Sequence, residues 1–450
     1  MTNSFDLDAL TPPDGFMAVL DRLESSGFEA WAVGGALRDA LDRGLVGRPP
    51  VDESDWDVAT NARPDQVMAL FPHTVPLGLE HGTVGVLQAD GVVYEATTFR
   101  LDVETDGRHA TVEFADSIDD DLGRRDFTIN AMAWRPRTGE FRDPFEGGTD
   151  LEAGLLRAVG TPGDRFAEDY LRVLRGLRFA GRFDLEIEGR TRDAMLEAAA
   201  HLSRLSAERV RDELLKVLAD PVPSTALDLY AGFGALEHWF PEIASLGADR
   251  ADWRQHLGTV DAVPRHRSLV RLARLLAPSS DDAELRAALA DALLRRLRFS
   301  NADRRTVTRL VHGYLPFPSP LDSAAQLRTW LSEAGESWHD LFRLHVGGAR
   351  ASGDEQWQRV VAASWRSVHG EFLEHPPLEL SDLAIGGEDI LDMGVKPGPI
   401  VGLLLEEMMA QVLEDPDRNE RESLLVETRR LIEIGALTGP RPPEDEADDG

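Results

Sequence analysis

The rhythm of apolar and polar positions changes near residue 162. Before it, several stretches alternate every second residue. "TVGVLQADGVVYEATTF" reads as two strands joined by a turn at Asp90-Gly91, and "FTINAMAWRPRTGEFRDP" as a second hairpin turning at Thr138-Gly139. Between them lie stretches with helical spacing over about 14–26, 36–42 and 65–70, the last following an "NARPD" start signal, while the apolar "FEAWAVGG" separates the first two. Strands grouped in this way predict a small mixed sheet backed by helices over 1–160. Beyond 162 apolar residues recur at intervals of three and four, as in "AERVRDELLKVLAD" and "SLVRLARLLA", so the chain to about 438 is predicted to be all-helical. The acidic, proline-rich end, 439–450, is predicted to be disordered.

Composition narrows the class. With 450 residues the chain can hold two or three domains. It has no cysteine, which excludes disulfides and thiolate metal sites and fits a reducing cytoplasm. The opening "MTNSFDLDALTPP" lacks the basic and apolar segments of a secretory signal, and no uncharged apolar run reaches membrane length. A soluble cytoplasmic protein is expected. The net charge is −32, and the only lysines are Lys216 and Lys396. Adaptation to high salt and a codon bias towards arginine both account for this. Either way, the overall charge excludes generic nucleic-acid binding, so any such binding needs a local basic patch.

Candidate chemistry begins at "PVDESDWDVAT", residues 50–60. If Asp55 and Asp57 open a strand, they project from one face with Cα atoms roughly 6.5 Å apart. Their repulsion would be relieved by a hard divalent cation such as Mg²⁺, and two such ions suit in-line phosphoryl chemistry. The same residues also fit an acidic surface loop. In "VGGALRD", Gly34 and Gly35 let backbone amides approach a phosphate at a helix start, with Arg38 as a charged partner; a plain strand-to-helix turn is the alternative. Glu95 in the second predicted strand is either a third carboxylate or a half-exposed strand residue. Arg124, Arg125 and Asp126 precede "FTINAMAW", where arginine beside a triphosphate would offset charge on a leaving pyrophosphate, unless the segment is a solvated turn. Residues 165–183, "RFAEDYLRVLRGLRFAGRF", read as one helix carrying Asp169, Arg172, Arg175 and Arg178 at every third position. Asp169 and Arg172 are then surface neighbours, either a functional pair or an ordinary i,i+3 ion pair.

Taken in order, these stretches resemble the class II tRNA nucleotidyltransferases, the CCA-adding enzymes and bacterial poly(A) polymerases of the polymerase-β-like superfamily. The resemblance rests on Gly34-Gly35…Arg38-Asp39, Asp55-Trp56-Asp57, Arg124-Arg125-Asp126 with "FTINAMA", and Glu168-Asp169…Arg172…Arg175…Arg178-Phe179. It is strong over about 30–220 and looser beyond. It implies an α+β fold, a small mixed-sheet nucleotidyltransferase head followed by an all-helical neck, body and tail. The corresponding spans are 1–160, 161–225, 226–330 and 331–438. It implies that Asp55 and Asp57 hold catalytic Mg²⁺ with Glu95 beside them, and that Gly34, Gly35, Arg38, Arg124 and Arg125 serve the triphosphate. Asp169 and Arg172 would read the base, supported by Arg175 and Arg178.

Hydrogen-bonding chemistry fits that last role. Cytosine and adenine each present an amine donor beside a ring-nitrogen acceptor; a carboxylate only accepts and a guanidinium only donates. Uracil and guanine reverse the order and would leave buried groups unpaired. The implied activity is template-independent addition of CCA to tRNA from CTP and ATP. A-only addition, poly(A) synthesis and a non-catalytic RNA-binding protein are the alternatives. The full-length loop between Phe99 and Arg124, with Asp106, Gly107, Arg108 and His109, disfavours CC-only activity. Ala277-Pro278 stands where some relatives carry a His-Asp metal pair, so no phosphohydrolase activity is expected and His256 and His266 read as surface or RNA-facing. A tRNA body needs a positive track: between 254 and 309 twelve arginines, including Arg271, Arg274, Arg286, Arg295, Arg296 and Arg298, face six acidic residues. Phosphate contact, with Arg295, Arg296 and Arg298 as the candidates, is weighed against surface ion pairing.

Overall fold

The computed structural model describes residues 7, 10–46, 56–105, 110–244, 246, 249–314, 317 and 319–434, without the side chains of 43–46, 102–105 and 110–112. Asp55, the segment 106–109 and the terminal 439–450 lie outside the described residues. The chain divides into two units, one of residues 1–257 with 293–299, the other of 258–292 with 300–450.

The first unit is built on β1 (Ala30–Val33), β2 (Asp57–Thr60), β3 (Thr74–Gly78), β4 (Thr83–Leu87) and β5 (Val93–Thr98), with two more strands described below. Helices α1 (Asp14–Ser25), α2 (Gly34–Val46) and α3 (Pro64–Leu70) are threaded between them. Next come the ribbon strands β6 (Arg100–Thr105) and β7 (Ala110–Phe114), helix α4 (Ile118–Gly123), and the hairpin β8 (Ala133–Arg135) and β9 (Glu140–Arg142). The sheet order is β3-β4-β5-β2-β1-β8-β9. Only β2 and β5 run parallel; the other pairs are antiparallel. Both hairpins turn where the alternation places them.

One face of this sheet is buried over its centre: Val58, Val84, Val86, Tyr94 and Ala96 lie under α1 and α3, with Phe16 5.8 Å from the Tyr94 ring. The other face is covered only over its inner half, where Trp31, Val33 and Ala59 pack with Ile118 and Leu122 of α4. Over β3–β5 it is open among the described residues, with Val75, Leu77, Leu87 and Val93 exposed.

Two local expectations are corrected. The segment between Phe99 and Arg124, read as a loop, carries the antiparallel β6–β7 ribbon, because "RLDVET" and "ATVEF" are both rich in β-branched residues that favour pairing. The run after Arg125 is not a strand at once: Thr128–Asn130 form a 3₁₀ turn that buries Thr128 and Asn130.

Helices α5 (Gly147–Glu152), α6 (Pro162–Glu168), α7 (Leu171–Phe183), α8 (Gly189–Ala199), α9 (Ala207–Ala219) and α10 (Pro223–Gly232) follow. Gly181 lets α7 lie against α10, since a Cβ there would sit 2.5 Å from the Ala226 nitrogen.

The second unit is helical in its described residues. Its core includes Leu327, Leu331, Leu341 and Phe342, with a further cluster around Ile390, Leu404, Met408, Val412 and Leu424. Three arginines of the expected positive track are inside it. Arg271 donates to the Val263 carbonyl, Arg274 stacks over Tyr314, and Arg286 donates to the carbonyls of Val311, Ser280 and His312. Their long apolar stems and five-donor heads fill gaps between helix ends, so these three are not available to phosphates. No helix among the described residues is long and apolar enough to cross a membrane.

Candidate active site

At the centre of the first unit's sheet, β1 runs into α2 through Gly34, whose φ is +78°. A Cβ at that position would lie 2.8 Å from Asp57 Oδ2, so glycine is required both by the backbone and by the neighbouring carboxylate. Asp57 opens β2 directly opposite Glu95 on β5. Residues so paired point to one side of the sheet with Cα atoms roughly 4.8 Å apart. Both open into a cleft of about 650 Å³. Two in-register carboxylates are an oxygen donor set that suits a hard divalent cation. Asp55 lies outside the described residues, so the D-x-D pair is seen at Asp57 alone.

The cleft walls carry nine cations, Arg38, Arg100, Arg124, Arg125, Arg172, Arg175, Arg178, Arg209 and Lys216. Against them stand, among the described residues, five carboxylates, Asp57, Glu95, Asp121, Asp126 and Asp169. In a chain of net charge −32 this is a local excess of positive charge. Arg124 and Arg125 are both braced by buried Asp121, at 2.7 and 3.2 Å. Burial would raise the Asp121 carboxyl, but Arg125 and Arg124 hold it below the usual carboxylate range.

Arg38 is almost wholly buried. It donates to Asp39 (2.6 Å) and Asn130 (2.6 Å) and lies between the Phe179 and Phe183 rings. Asn130 in turn donates to Asp126 (2.8 Å), which accepts from Arg175 Nε (2.8 Å). This relay ties α2 to α7. Burial opposes the Asp126 charge, yet Arg175 and Asn130 hold its carboxyl far below the usual range. Arg178 is committed to buried Glu213 on α9 (2.8 Å), which also receives Lys216 (3.1 Å).

Residues 165–183 are not one helix. α6 ends at Glu168, Asp169 is extended (φ −157°, ψ 106°), and α7 starts at Leu171. The Asp169 carboxylate accepts from the Leu171 amide (3.0 Å) and from both terminal nitrogens of Arg209 (2.6 and 3.1 Å). Arg172 pairs with Glu168 and donates to the carbonyls of Arg165 and Arg124. Arg165 also grips this junction, donating to the carbonyls of Gly123 (2.8 Å) and Arg124 (3.0 Å) and to Glu168 (2.7 Å).

Gly34, Gly35, Arg38, Asp57, Glu95, Arg124, Arg125, Asp169, Arg172, Arg175 and Arg178 thus all line one cleft. Arg295, Arg296 and Arg298 do not line it. Arg295 is exposed, Arg296 is bound to the Trp239 carbonyl (3.2 Å) and Glu242 (2.5 Å), and Arg298, with φ +54°, is bound to Glu208. Of the two histidines, His266 is exposed and His256 lies beside Trp253. Sequence reasoning missed Arg209, Lys216, Arg100 and Asn130. Arg209, Glu213 and Lys216 recur at four and three residues along "AERVRDELLKVLAD", a polar stripe opposite the apolar one.

Residues 30–157 match the family model described as the poly A polymerase head domain. Residues 184–246 match one described as a probable RNA and SrmB-binding site of polymerase A. A CCA-adding enzyme of Lactococcus lactis subsp. cremoris is 32% identical over 425 residues, 92% of this chain and 96% of that protein. One of Leuconostoc mesenteroides is 32% identical over 90% of this chain and 93% of its own length. The crystal structure of the Bacillus stearothermophilus CCA-adding enzyme in complex with CTP superposes with a TM-score of 0.72 at 28% identity, covering 95% of this chain and all of the other. Matched along nearly its whole length by relatives of this kind, and built on the same mixed-sheet head and helical remainder, the chain belongs to the family of CCA-adding enzymes.

Proposed function

We infer that the protein adds C, C and A to the 3′ end of tRNA without a nucleic-acid template, using CTP and ATP, and that it does so in the cytoplasm. The observation that carries this reading is the pairing of Asp57 and Glu95, in register, at the floor of a cleft whose walls are predominantly cationic. Carboxylates suit a metal and its phosphoryl chemistry, and the arginines suit a triphosphate. The likeness to an enzyme crystallised with CTP supports the nucleotide assignment.

Asp55 and Asp57 would hold Mg²⁺, with Glu95 beside them. When bound, the metal offsets negative charge as it shifts from the α-phosphate to the leaving group. The RNA 3′ hydroxyl oxygen forms a bond to the α-phosphorus while the bond to the β-phosphate oxygen breaks, and pyrophosphate leaves. Gly34 and Gly35 keep the backbone low enough for phosphate oxygens to approach. Arg124 and Arg125, oriented by Asp121, face the triphosphate. Arg38 orients Asn130 and, through it, Asp126 and Arg175. Asp169 and Arg172 offer one acceptor and one donor surface, which cytosine and adenine satisfy and uracil and guanine do not. In this reading 1–160 is the catalytic head, 161–225 the neck that carries the base-reading groups, and 226–330 and 331–438 are a body and tail that hold tRNA, with the exposed Arg295 and Arg298 as phosphate contacts and Arg296 held instead by the Trp239 carbonyl and Glu242.

The test is incubation with tRNA lacking CCA and with tRNA ending in CC, supplying CTP and ATP separately and together. Two C additions from CTP alone, and one A addition only after CC, are expected. Activity should vanish with EDTA and return with Mg²⁺. Addition of A alone, whatever the substrate, would replace this reading with A-adding activity.

A further inference from the structure

We propose that the open apolar strip on the outer half of the catalytic sheet seats the single-stranded 3′ end of the acceptor RNA. The proposal rests on the nucleotidyl-transfer reading and names a subsite for its second substrate.

The strip is defined by register. Glu95 pairs with Gly85, and Gly85 with Val75, across β5, β4 and β3; in the next row Leu87 pairs with Val93. All therefore share the face that carries Asp57. Val75, Leu77, Leu87 and Val93 are 40–49% exposed. Gly85 forms the floor between them. A Cβ there would lie 2.7 Å from Val93 Cγ1 and 2.8 Å from Leu77 Cδ1, so those two side chains close over the glycine. On β4 and β5 the opposite face, with Val84, Val86, Tyr94 and Ala96, is buried. A sheet with one solvated face ordinarily alternates apolar with polar; here, beyond Glu95, Thr83 and Thr97, four of the solvated positions are apolar as well, the pattern of a surface that receives a partner.

Position within the site selects the partner. α4, which carries the segment leading to Arg124 and Arg125, packs over β1 and β2 on the inner half of this face. The strip lies on the outer half, and the carboxylates stand between. In-line displacement puts the attacking oxygen opposite the leaving pyrophosphate. With the triphosphate on the arginine side, the RNA end arrives over β4 and β3. Its terminal base is the tRNA's own at the first addition and C at the second and third, so its seat must accept more than one base edge. An aliphatic floor contacts the flat base face and asks for no particular donor or acceptor. At the inner border the Thr83 and Thr97 hydroxyls, 3.1 Å apart, and Arg100 can meet ribose and phosphate. Attachment of a second copy by strand addition is opposed by Pro76, which removes a backbone donor from the edge strand β3.

The test uses the full-length protein carrying Leu77→Asp or Val93→Asp. First, the wild type must extend tRNA; failure there would remove the parent reading, and this proposal with it. With an active wild type, each variant should raise the KM for tRNA ending in CC about tenfold or more while the KM for ATP changes less than twofold. Unchanged KM for the RNA would overturn the proposal. So would altered mass by light scattering with unchanged KM for the RNA, which would assign the strip to a second copy of the chain. Should either variant melt early, photocrosslinking of wild type to RNA ending in 4-thiouridine decides. A crosslink within 75–93 supports the proposal, and crosslinks confined to other segments overturn it.

Discussion

Asp169 and Arg209, forty positions apart, meet through two hydrogen bonds of 2.6 and 3.1 Å. The carboxylate proposed to read the base edge is therefore aimed by α9 as well as by its own backbone. Arg209→Ala leaves Asp169 with the Leu171 amide as the only other bond described here. A hydrogen bond to a charged group contributes roughly 1.5–3 kcal/mol. Loss of this one should cut the preference for CTP over UTP by about tenfold or more, read from competition kinetics. A matching fall in kcat with both nucleotides and no change in preference would place Arg209 outside base selection.

Arg165 makes the contrasting prediction. It joins the end of α4 to Glu168 and touches no nucleotide group in the proposed reading. Arg165→Lys keeps the charge and loses the fork that spans two carbonyls. The KM for CTP and for ATP should rise together, several-fold, with the order of preference intact. Selective loss of one nucleotide would contradict a purely positioning role.

Gly34→Ala tests the floor of the site. The left-handed backbone costs a non-glycine residue about 1–2 kcal/mol, and the new methyl would press on Asp57 Oδ2. A fall in kcat of at least a hundredfold is expected, with a melting temperature lowered by only a few degrees. Near-normal kcat would show that Asp57 tolerates displacement.

The second unit should be acid-sensitive at one buried group. Burial first, and then Arg274, push the His345 imidazole down to about 3, and its ring stacks on Tyr314 at 4.7 Å. The unfolded chain takes up a proton near 6.5 and the folded one does not. Stability is therefore full above 6.5 and is lost as pH falls towards 3. One unit corresponds to about 1.4 kcal/mol, so moving from pH 7 to pH 5 should cost the fold about 2 kcal/mol through this group. His345→Phe should flatten that part of the denaturation profile; an identical slope in both proteins would remove His345 as the cause.

The sequence made the hairpins at Asp90-Gly91 and Thr138-Gly139 legible, because period-two alternation and turn residues are local signals. It did not by itself place Glu95 beside Asp57. That adjacency is a parallel pairing of strands 38 positions apart; the residues alone leave Glu95 open between a third carboxylate and a half-exposed strand position, and the family resemblance implies the former. The break at Asp169 was hidden because neither proline nor glycine marks it; the carboxylate stops the helix by capping Leu171 from outside. Arg209 looked like any arginine on an amphipathic helix, since its partner is distant in sequence. The sequence alone offers Arg271, Arg274 and Arg286 as part of a surface track because arginine is usually exposed; here main-chain carbonyls bind Arg271 and Arg286, and Arg274 lies over the Tyr314 ring.

Arg165 and Arg172 hold on to the same short stretch of main chain at the end of α4. The groups proposed to meet the base and those proposed to meet the phosphates thereby become two jaws of one caliper with a fixed opening. A nucleotide is then admitted by its length as well as by its outline. A linker inserted between sugar and phosphate would be refused even with the correct base attached.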